Sequence, residues 1–329
     1  MLNTSIEKNK IVEVAAAVLQ KPDGSFLLAQ RPADKIWSGY WEFPGGKIEE
    51  GESPRHALHR ELREELGIEV QTAYPWFTRI FTYPHATVRL NFFRVTQWRG
   101  ELHPHEGQEF SWQFPLSPAL SCRGEREQVS VAPVLPANTP ILRALQLPSL
   151  YAISNAAGLG VEEFMRRLEA ALHNGLRLIQ IREKEMPRTE LRALSQRVLE
   201  LAHAHGARVL INGDVELARE IGADGVHLNG SQLAGCSVHP ENLDWCAASC
   251  HSAAGLQRAG ELGLDFAVLS PVLPTLSHPG AAHLGWKGFA ETAAATAIPV
   301  YALGGLCPDD METAWQHHAH GIALLRQAW

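Results

Sequence analysis

Between positions 150 and 325 the sequence repeats one pattern: a short apolar, β-branched run, usually followed by a stretch of helical periodicity. Eight such runs occupy 150–154, 177–182, 208–212, 225–228, 245–249, 266–271, 299–303 and 321–325, with helical stretches such as 161–174, 188–205 and 308–318 between them. Runs of this length flanked by helical crossovers read as parallel strands. Eight alternating units predict a (β/α)8, or TIM, barrel. The sequence stops four residues after the last run, so the closing helix is expected to be absent or very short, which hints at a helper role for the barrel.

The first part of the chain reads differently. Ser53 and Pro54 form a helix start, because a serine oxygen can accept a free amide of the first turn and proline needs no donor at the first helical position. Gly67 supplies the stop. Between them Ala57, Leu58, Leu62 and Leu66 make an apolar stripe at steps of three and four residues. Glu61, Glu64 and Glu65 lie off that stripe at i, i+3 and i+4, which places three carboxylates on one helical face. Their mutual repulsion is removed by a divalent cation, and hard oxygen donors suit magnesium or manganese. The alternative is a solvated helix face on which Arg60, Arg63 and the glutamates form surface ion pairs.

At 329 residues with 45% apolar content, the chain is long enough for two cores. The segment 117–138 is rich in Pro, Ser and charge, 140–146 reads as the last helix of the first domain, and 147–149 is a short link. This sets domains at 1–147 and 148–329. Lys and Arg total 29 against 36 Asp and Glu, a formal net charge of −7, and neither half is basic. Binding to long nucleic acid, which rests on many phosphate contacts from Lys and Arg, is therefore not expected. A free nucleotide held through metal is. The five cysteines, Cys122, Cys236, Cys246, Cys250 and Cys307, are odd in number and include no CxxC pair, against a disulfide scaffold or a zinc site. The first apolar run is broken by Glu13 and carries no cleavage-type signal, and no stretch is long enough to span a bilayer. A cytoplasmic, membrane-free protein is expected.

Gly46, Glu52, Arg60, Glu61, Glu64, Glu65 and Gly67 stand at the spacing of a Nudix box. The first third of the chain resembles the Nudix hydrolases, which cleave nucleoside diphosphates linked to another moiety. The resemblance implies an α/β/α sandwich, catalysis by Glu61 and Glu64, and a metal held by Glu61, Glu64, Glu65 and Gly45. It also implies a structural pair, Glu52 and Arg60, tying the loop to the helix beside Gly46 and Gly67. The segments 27–47, 105–110 and 136–142 further resemble the MutT branch, hydrolases of oxidised purine nucleoside triphosphates such as 8-oxo-dGTP. By that likeness Glu106 is a further metal ligand or base, Arg31, Glu42 and Phe43 touch the nucleotide, and Asn138 reads the purine edge with its donor and acceptor. Asn138 also suits a cap for the helix starting near Pro140. One departure concerns the base: an arginine of the MutT hairpin falls on Ala86, with Arg89 three residues on.

The second part resembles the thiamine phosphate synthase/TenI family through QIREK at 180–184, 210–228, SCHS at 249–252, 270–280 and ALGGL at 302–306. These segments fall on strand ends, where barrel active sites sit. The likeness implies that Gln180, Arg182 and Lys184 hold a pyrimidine pyrophosphate, and that Asn212 and Ser249 belong to the same barrel ligand site. Thr275, Ser277, Gly304 and Gly305 correspond to a thiazole phosphate site, and His251 to a proton-transfer histidine of TenI relatives; a polar residue satisfied at a strand end is the other reading of His251. The synthase's magnesium-binding Asp positions hold Gly213 and Gln232 here, with Asp214 one residue late, and an expected lysine reads His278. Without those carboxylates, synthase activity is not expected. The HHAH tract at 317–320 reads as a solvated helix end rather than a metal site. The expectation is a magnesium-dependent 8-oxo-dGTP hydrolase with a degenerate barrel that binds, at most, a thiazole or thiamine phosphate. The alternatives are a bifunctional thiamine-pathway protein whose first domain hydrolyses a pyrimidine or thiamine diphosphate, or a barrel that senses a thiazole or thiamine phosphate and regulates the hydrolase.

Overall fold

The computed structural model describes residues 11–105, 107–115, 131–275, 280, 282–294 and 296–329. Strand β1 (Val12–Leu19) runs through a first sheet with β4 (Gly45–Lys47) antiparallel on one side and β6 (Ala86–Arg99) parallel on the other. The long hairpin of β5 (Glu69–Tyr83) and β6 completes the order β4-β1-β6-β5. Pro75 is tolerated in β5 because that strand is the sheet edge, and the register slips beside it. A second sheet holds β3 (Trp41–Glu42), β2 (Phe26–Gln30) and β7 (Phe110–Gln113), in that order.

Helix α1 (Pro54–Leu66) forms as the sequence implies. The Ser53 hydroxyl accepts from the His56 amide at 3.2 Å, and Gly67 closes the helix at φ 71° with its N–H on the Arg63 and Leu62 carbonyls. Ala57, Leu58, Leu62 and Leu66 are fully buried against Ala15, Ala17, Leu19 and Val95 of the first sheet. Burying the stripe fixes which face remains for the glutamates. This unit comprises the described residues up to Leu142, and the second unit those from Arg143.

The second unit is a closed barrel of eight parallel strands: β8 (Leu150–Ile153), β9 (Leu178–Ile181), β10 (Arg208–Asn212), β11 (Gly225–Leu228), β12 (Trp245–Cys250), β13 (Phe266–Leu269), β14 (Val300–Leu303) and β15 (Gly321–Leu324). Each sits within two residues of its expected run. β15 pairs with β8, which closes the ring. The inner cluster is built on Tyr151, Phe266 and Tyr301, with ring centroids 5.2–5.6 Å apart, while Val226, Leu228, Ala248 and Leu269 face the covering helices. At the opposite end from the strand C-termini, the Trp245 ring lies under the guanidinium groups of Arg143 and Arg208 at 3.4 and 4.8 Å.

After β15 the chain makes only a 3-10 turn, Arg326–Ala328. Trp329 then donates from its indole to the Ile153 carbonyl at 2.8 Å and lays its ring edge against Phe164. The HHAH tract differs from a solvated helix end. His320 is fully buried, its amide donates to Val300 and its Nε2 meets the Leu147 carbonyl at 2.9 Å. His318 turns the chain at φ 69°, which is what carries the tract from the helix Met311–Gln316 into β15.

Candidate functional site

Two groups of polar residues stand out, one in each unit. In the first, β4 lies against β1 with Ala16 opposite Gly45 and Ala15 opposite Gly46. Neither glycine has room for a side chain: a Cβ on Gly45 would meet the Ala15 carbonyl at 2.1 Å, and one on Gly46 the Glu61 carboxylate at 2.2 Å. The Gly45 amide donates to Glu65 Oε2 at 3.1 Å. Glu61 and Glu65 thus converge on this glycine strand, and Glu64 stands on the same face with 61% of its side chain exposed.

Arg60 organises the flank. It donates to both Glu52 oxygens at 2.9 and 3.1 Å, to the Lys47 carbonyl at 3.0 Å, and to Glu61 and Glu64 at 2.8 and 3.2 Å. These bonds hold the Glu52 carboxyl below its usual range and raise Arg60 further above its own. The loop is thereby tied to the helix. Glu106 lies outside the described residues. Among those described, no three His, Cys, Asp or Glu side chains form a preformed metal cage. The donor set is nevertheless all hard oxygen, on a glycine strand that brings backbone beside carboxylate, and it fits magnesium or manganese completed by water and phosphate oxygens.

The nucleotide-type residues gather at the other end of β3. Arg31 pairs with Glu42 at 2.5 Å and donates from Nε to the Ile36 carbonyl at 2.8 Å. Burial pushes the Glu42 carboxyl up, with the Arg31 charge opposing. The Tyr83 hydroxyl hydrogen-bonds the Ala137 backbone, next to Asn138, and feels both Glu42 and Arg31. Asn138 is buried and its carbonyl accepts from Ile141 and Leu142. Phe43 is 3% exposed, packed between Phe26 and Phe92; any contact it makes with a ligand runs through its backbone. Arg89 is engaged by Glu13 at 2.6 Å. The aromatic pair Trp37 and Tyr83, 5.9 Å apart, was missed because several strands separate these two residues from each other and from Asn138 in sequence.

In the second unit Gln180, Arg182, Lys184, Asn212, Ser249, His251, Thr275, Gly304 and Gly305 all line one cavity of about 1200 Å³ at the strand C-terminal ends. Ser277 and His278 lie outside the described residues. Gly304 and Gly305, at φ 110° and 70°, approach Pro271 and Pro274 so closely that a Cβ would fall within 2.9 and 2.4 Å. His251 Nδ1 meets the Ser270 carbonyl at 2.8 Å.

The synthase-type metal does not fit this cavity. Gly213 offers only a carbonyl, and it accepts from Gln232 Nε2 at 2.6 Å. Gln232 is itself locked in a capping box with Asn229. Asp214 caps the next helix through the Leu217 amide at 2.8 Å and pairs with Arg188 at 3.1 Å. The remaining acid, Glu183, is buried and accepts from the Ser154 hydroxyl at 2.5 Å and the Ala156 and Ala157 amides at 2.8 and 2.9 Å. Every described carboxylate lining the cavity therefore already has cationic or N–H and O–H partners. Glu183 and the buried pair Tyr151 and His227 were not singled out from sequence, since their partners lie 26 to 76 positions away in the chain.

Comparison with known proteins agrees with both units. The family described as thiamine monophosphate synthase matches residues 150–328, and the NUDIX domain family matches residues 15–120. A protein of Aquifex aeolicus (strain VF5) assigned as a thiamine-phosphate synthase is 37% identical over 180 residues, 54% of this chain and 96% of that protein. The CTP pyrophosphohydrolase of Escherichia coli (strain K12) is 43% identical over 117 residues, 33% of this chain and 86% of the relative. The 8-oxo-dGTP diphosphatase of Proteus vulgaris is 40% identical over 102 residues, 31% of this chain and 90% of the relative. No described helix is long and apolar enough to cross a membrane. The chain belongs to the thiamine monophosphate synthase family through its barrel and carries ahead of it a Nudix hydrolase domain, an enzyme acting on phosphoric anhydride bonds.

Proposed function

We propose that the Nudix unit hydrolyses an oxidised purine nucleoside triphosphate, 8-oxo-dGTP, to the monophosphate and diphosphate, and so clears a damaged nucleotide from the cytoplasmic pool. The observation that carries this reading is the gathering of Arg31, Glu42, Tyr83 and the Asn138 segment beside one another, in a unit 40% identical to the Proteus diphosphatase. The buried Asn138 amide offers one donor and one acceptor to a purine edge, and the Arg31–Glu42 pair supplies charge beside it. Glu61, Glu64, Glu65 and Gly45, with Glu106, would hold magnesium or manganese, which would supply charge neutralisation at the phosphates and a more acidic water. Glu61 and Glu64 are read as the carboxylates that take the proton of the attacking water, while Glu52 and Arg60 tie the loop to α1. Water adds at a phosphorus of the anhydride, and diphosphate leaves.

A pyrimidine substrate is the second reading, favoured by the 43% identity to the CTP pyrophosphohydrolase and by Ala86 at the place of the MutT arginine. The barrel is read as a binding module for a thiazole or thiamine phosphate, without transfer chemistry, and the domain boundary as 147/148. Diphosphate release from 8-oxo-dGTP is the test. It is expected to need added magnesium and to vanish in Glu64→Gln; undiminished turnover in that variant refutes the assignment.

A further inference from the structure

An α-helix leaves its last four carbonyls without a partner inside the helix. In α1 these belong to Arg63, Glu64, Glu65 and Leu66, the turn that carries two of the three glutamates. The Gly67 amide takes the Arg63 carbonyl at 3.1 Å. The other three are taken by His103, His105 and Gln108, residues of one later loop. The His103 amide donates to the Leu66 carbonyl at 3.0 Å, and the Glu65 carbonyl accepts from the His105 amide at 3.2 Å and from Gln108 Nε2 at 3.3 Å. The His105 ring completes the set, with Nδ1 3.1 Å from the Glu64 carbonyl.

A carbonyl oxygen can only accept, so Nδ1 carries the proton of that bond. The ring lies over Gly67, where a Cβ would stand 3.1 Å from its Cε1 and Nε2. Gly67 therefore serves twice, as the left-handed stop of the helix at φ 71° and as a flat seat for the imidazole. His105 is exposed, so filling a core does not account for it. What it touches is the backbone of a residue whose carboxylate faces the glycine strand. Glu64 is 61% exposed and meets Arg60 at 3.2 Å, so its carboxylate stands where its backbone puts it. Glu65 accepts the Gly45 amide on its side chain and the loop on its carbonyl. Helix ends fray, and a frayed last turn would carry Glu64 and Glu65 away from Glu61.

We propose that His105 is a positioning residue for the Nudix metal site: its ring holds the last turn of α1, so that Glu64 and Glu65 keep their place beside Glu61 and the Gly45 strand. This rests on the metal reading of that unit. The bond is made to a backbone carbonyl and not to a carboxylate, so it orders the turn and leaves the carboxylate oxygens for a cation. Partners one step removed from the ligands in this way set how well a site holds its metal.

The test uses the full chain and manganese(II) alone as the probe, with the free ion followed by electron paramagnetic resonance. Glu64→Gln, expected to lose manganese binding, identifies the Nudix unit as the site being read. His105→Ala is expected to weaken binding about ten-fold. His105→Asn, whose side-chain amide can replace the Nδ1–H donor, is expected to bind within about two-fold of the parent. In the metal-free chain, His105→Ala should exchange the amides of the last turn of α1 faster than the parent does, with the first turns unchanged. Its loss of turnover should shrink as magnesium is raised, because a weakened site fills at higher metal. Manganese binding in His105→Ala equal to the parent's, an equal loss in His105→Asn, or a loss of turnover that magnesium does not relieve overturns the positioning role and leaves the metal reading standing. Absence of manganese binding by the parent removes the metal reading itself, and the role of His105 falls with it.

Discussion

Arg60 shows how much of the Nudix unit hangs on one planar cation. Its two-point grip on Glu52 and its bond to the Lys47 carbonyl need the guanidinium fork, which an ammonium cannot copy. Arg60→Lys is expected to lower the melting temperature by about 3 °C, measured by calorimetry, and to slow hydrolysis because the glycine strand loses its anchor. Glu64 is the opposite case, exposed and free of the core, so Glu64→Gln should cost activity about a hundred-fold or more with no loss of stability. His227 sets a pH dependence. Its folded pKa lies near 3 and the unfolded value near 6.5, so between those values only the unfolded chain binds the proton. Stability therefore falls as pH falls from about 6.5 towards 3, by up to about 1.4 kcal/mol per pH unit for this one group. Urea unfolding at pH 7 and pH 5 is expected to show a smaller acid loss in His227→Gln than in the parent. At this scale the carboxylate face of α1 was legible from spacing alone. His227 and Glu183 were not, because a histidine or a glutamate in a strand-end segment looks the same whether it faces water or, as here, closes bonds with Tyr151 or Ser154 many positions away.

Among the elements, α1 was the most legible, since its cap, stripe and stop are all local. Ser53→Ala removes the bond to the His56 amide and is expected to cost about 1 kcal/mol in urea unfolding, with the catalytic face intact. The barrel strands were legible for the same reason of length and composition. The short helices Gly230–Gly235, Ala253–Glu261 and Gly285–Ala293 were not, because each begins at or contains glycine and too few apolar positions repeat to give a period. The HHAH tract misled for a different reason. Its polarity suggests solvent, yet His320 enters β15 and finds a carbonyl partner at the barrel's lower end. Closest approach decides the β4 element: Gly46→Ala is expected to displace the Glu61 carboxylate and abolish turnover, since the added carbon would stand 2.2 Å from it.

For the whole molecule, the two units divide the chemistry. The Nudix unit gathers carboxylates on one face of α1 beside the glycine strand, while in the barrel cavity the described carboxylates are committed to arginine, amide and hydroxyl partners. Both families were legible from the sequence, and so was the loss of the synthase-type carboxylates at Gly213 and Gln232. What the sequence left open is the base that the Nudix unit selects; in the proposed reading it depends on how Arg31, Glu42, Tyr83 and Asn138 share one space, and no local spacing encodes that. The most direct measurement is kcat/KM of the full chain, with magnesium, for 8-oxo-dGTP against dGTP and CTP. A preference for 8-oxo-dGTP of about ten-fold or more over both is expected, since a site built on hydrogen bonds to a purine edge discriminates at that level or above. A preference for CTP, or equal rates on all three, contradicts it.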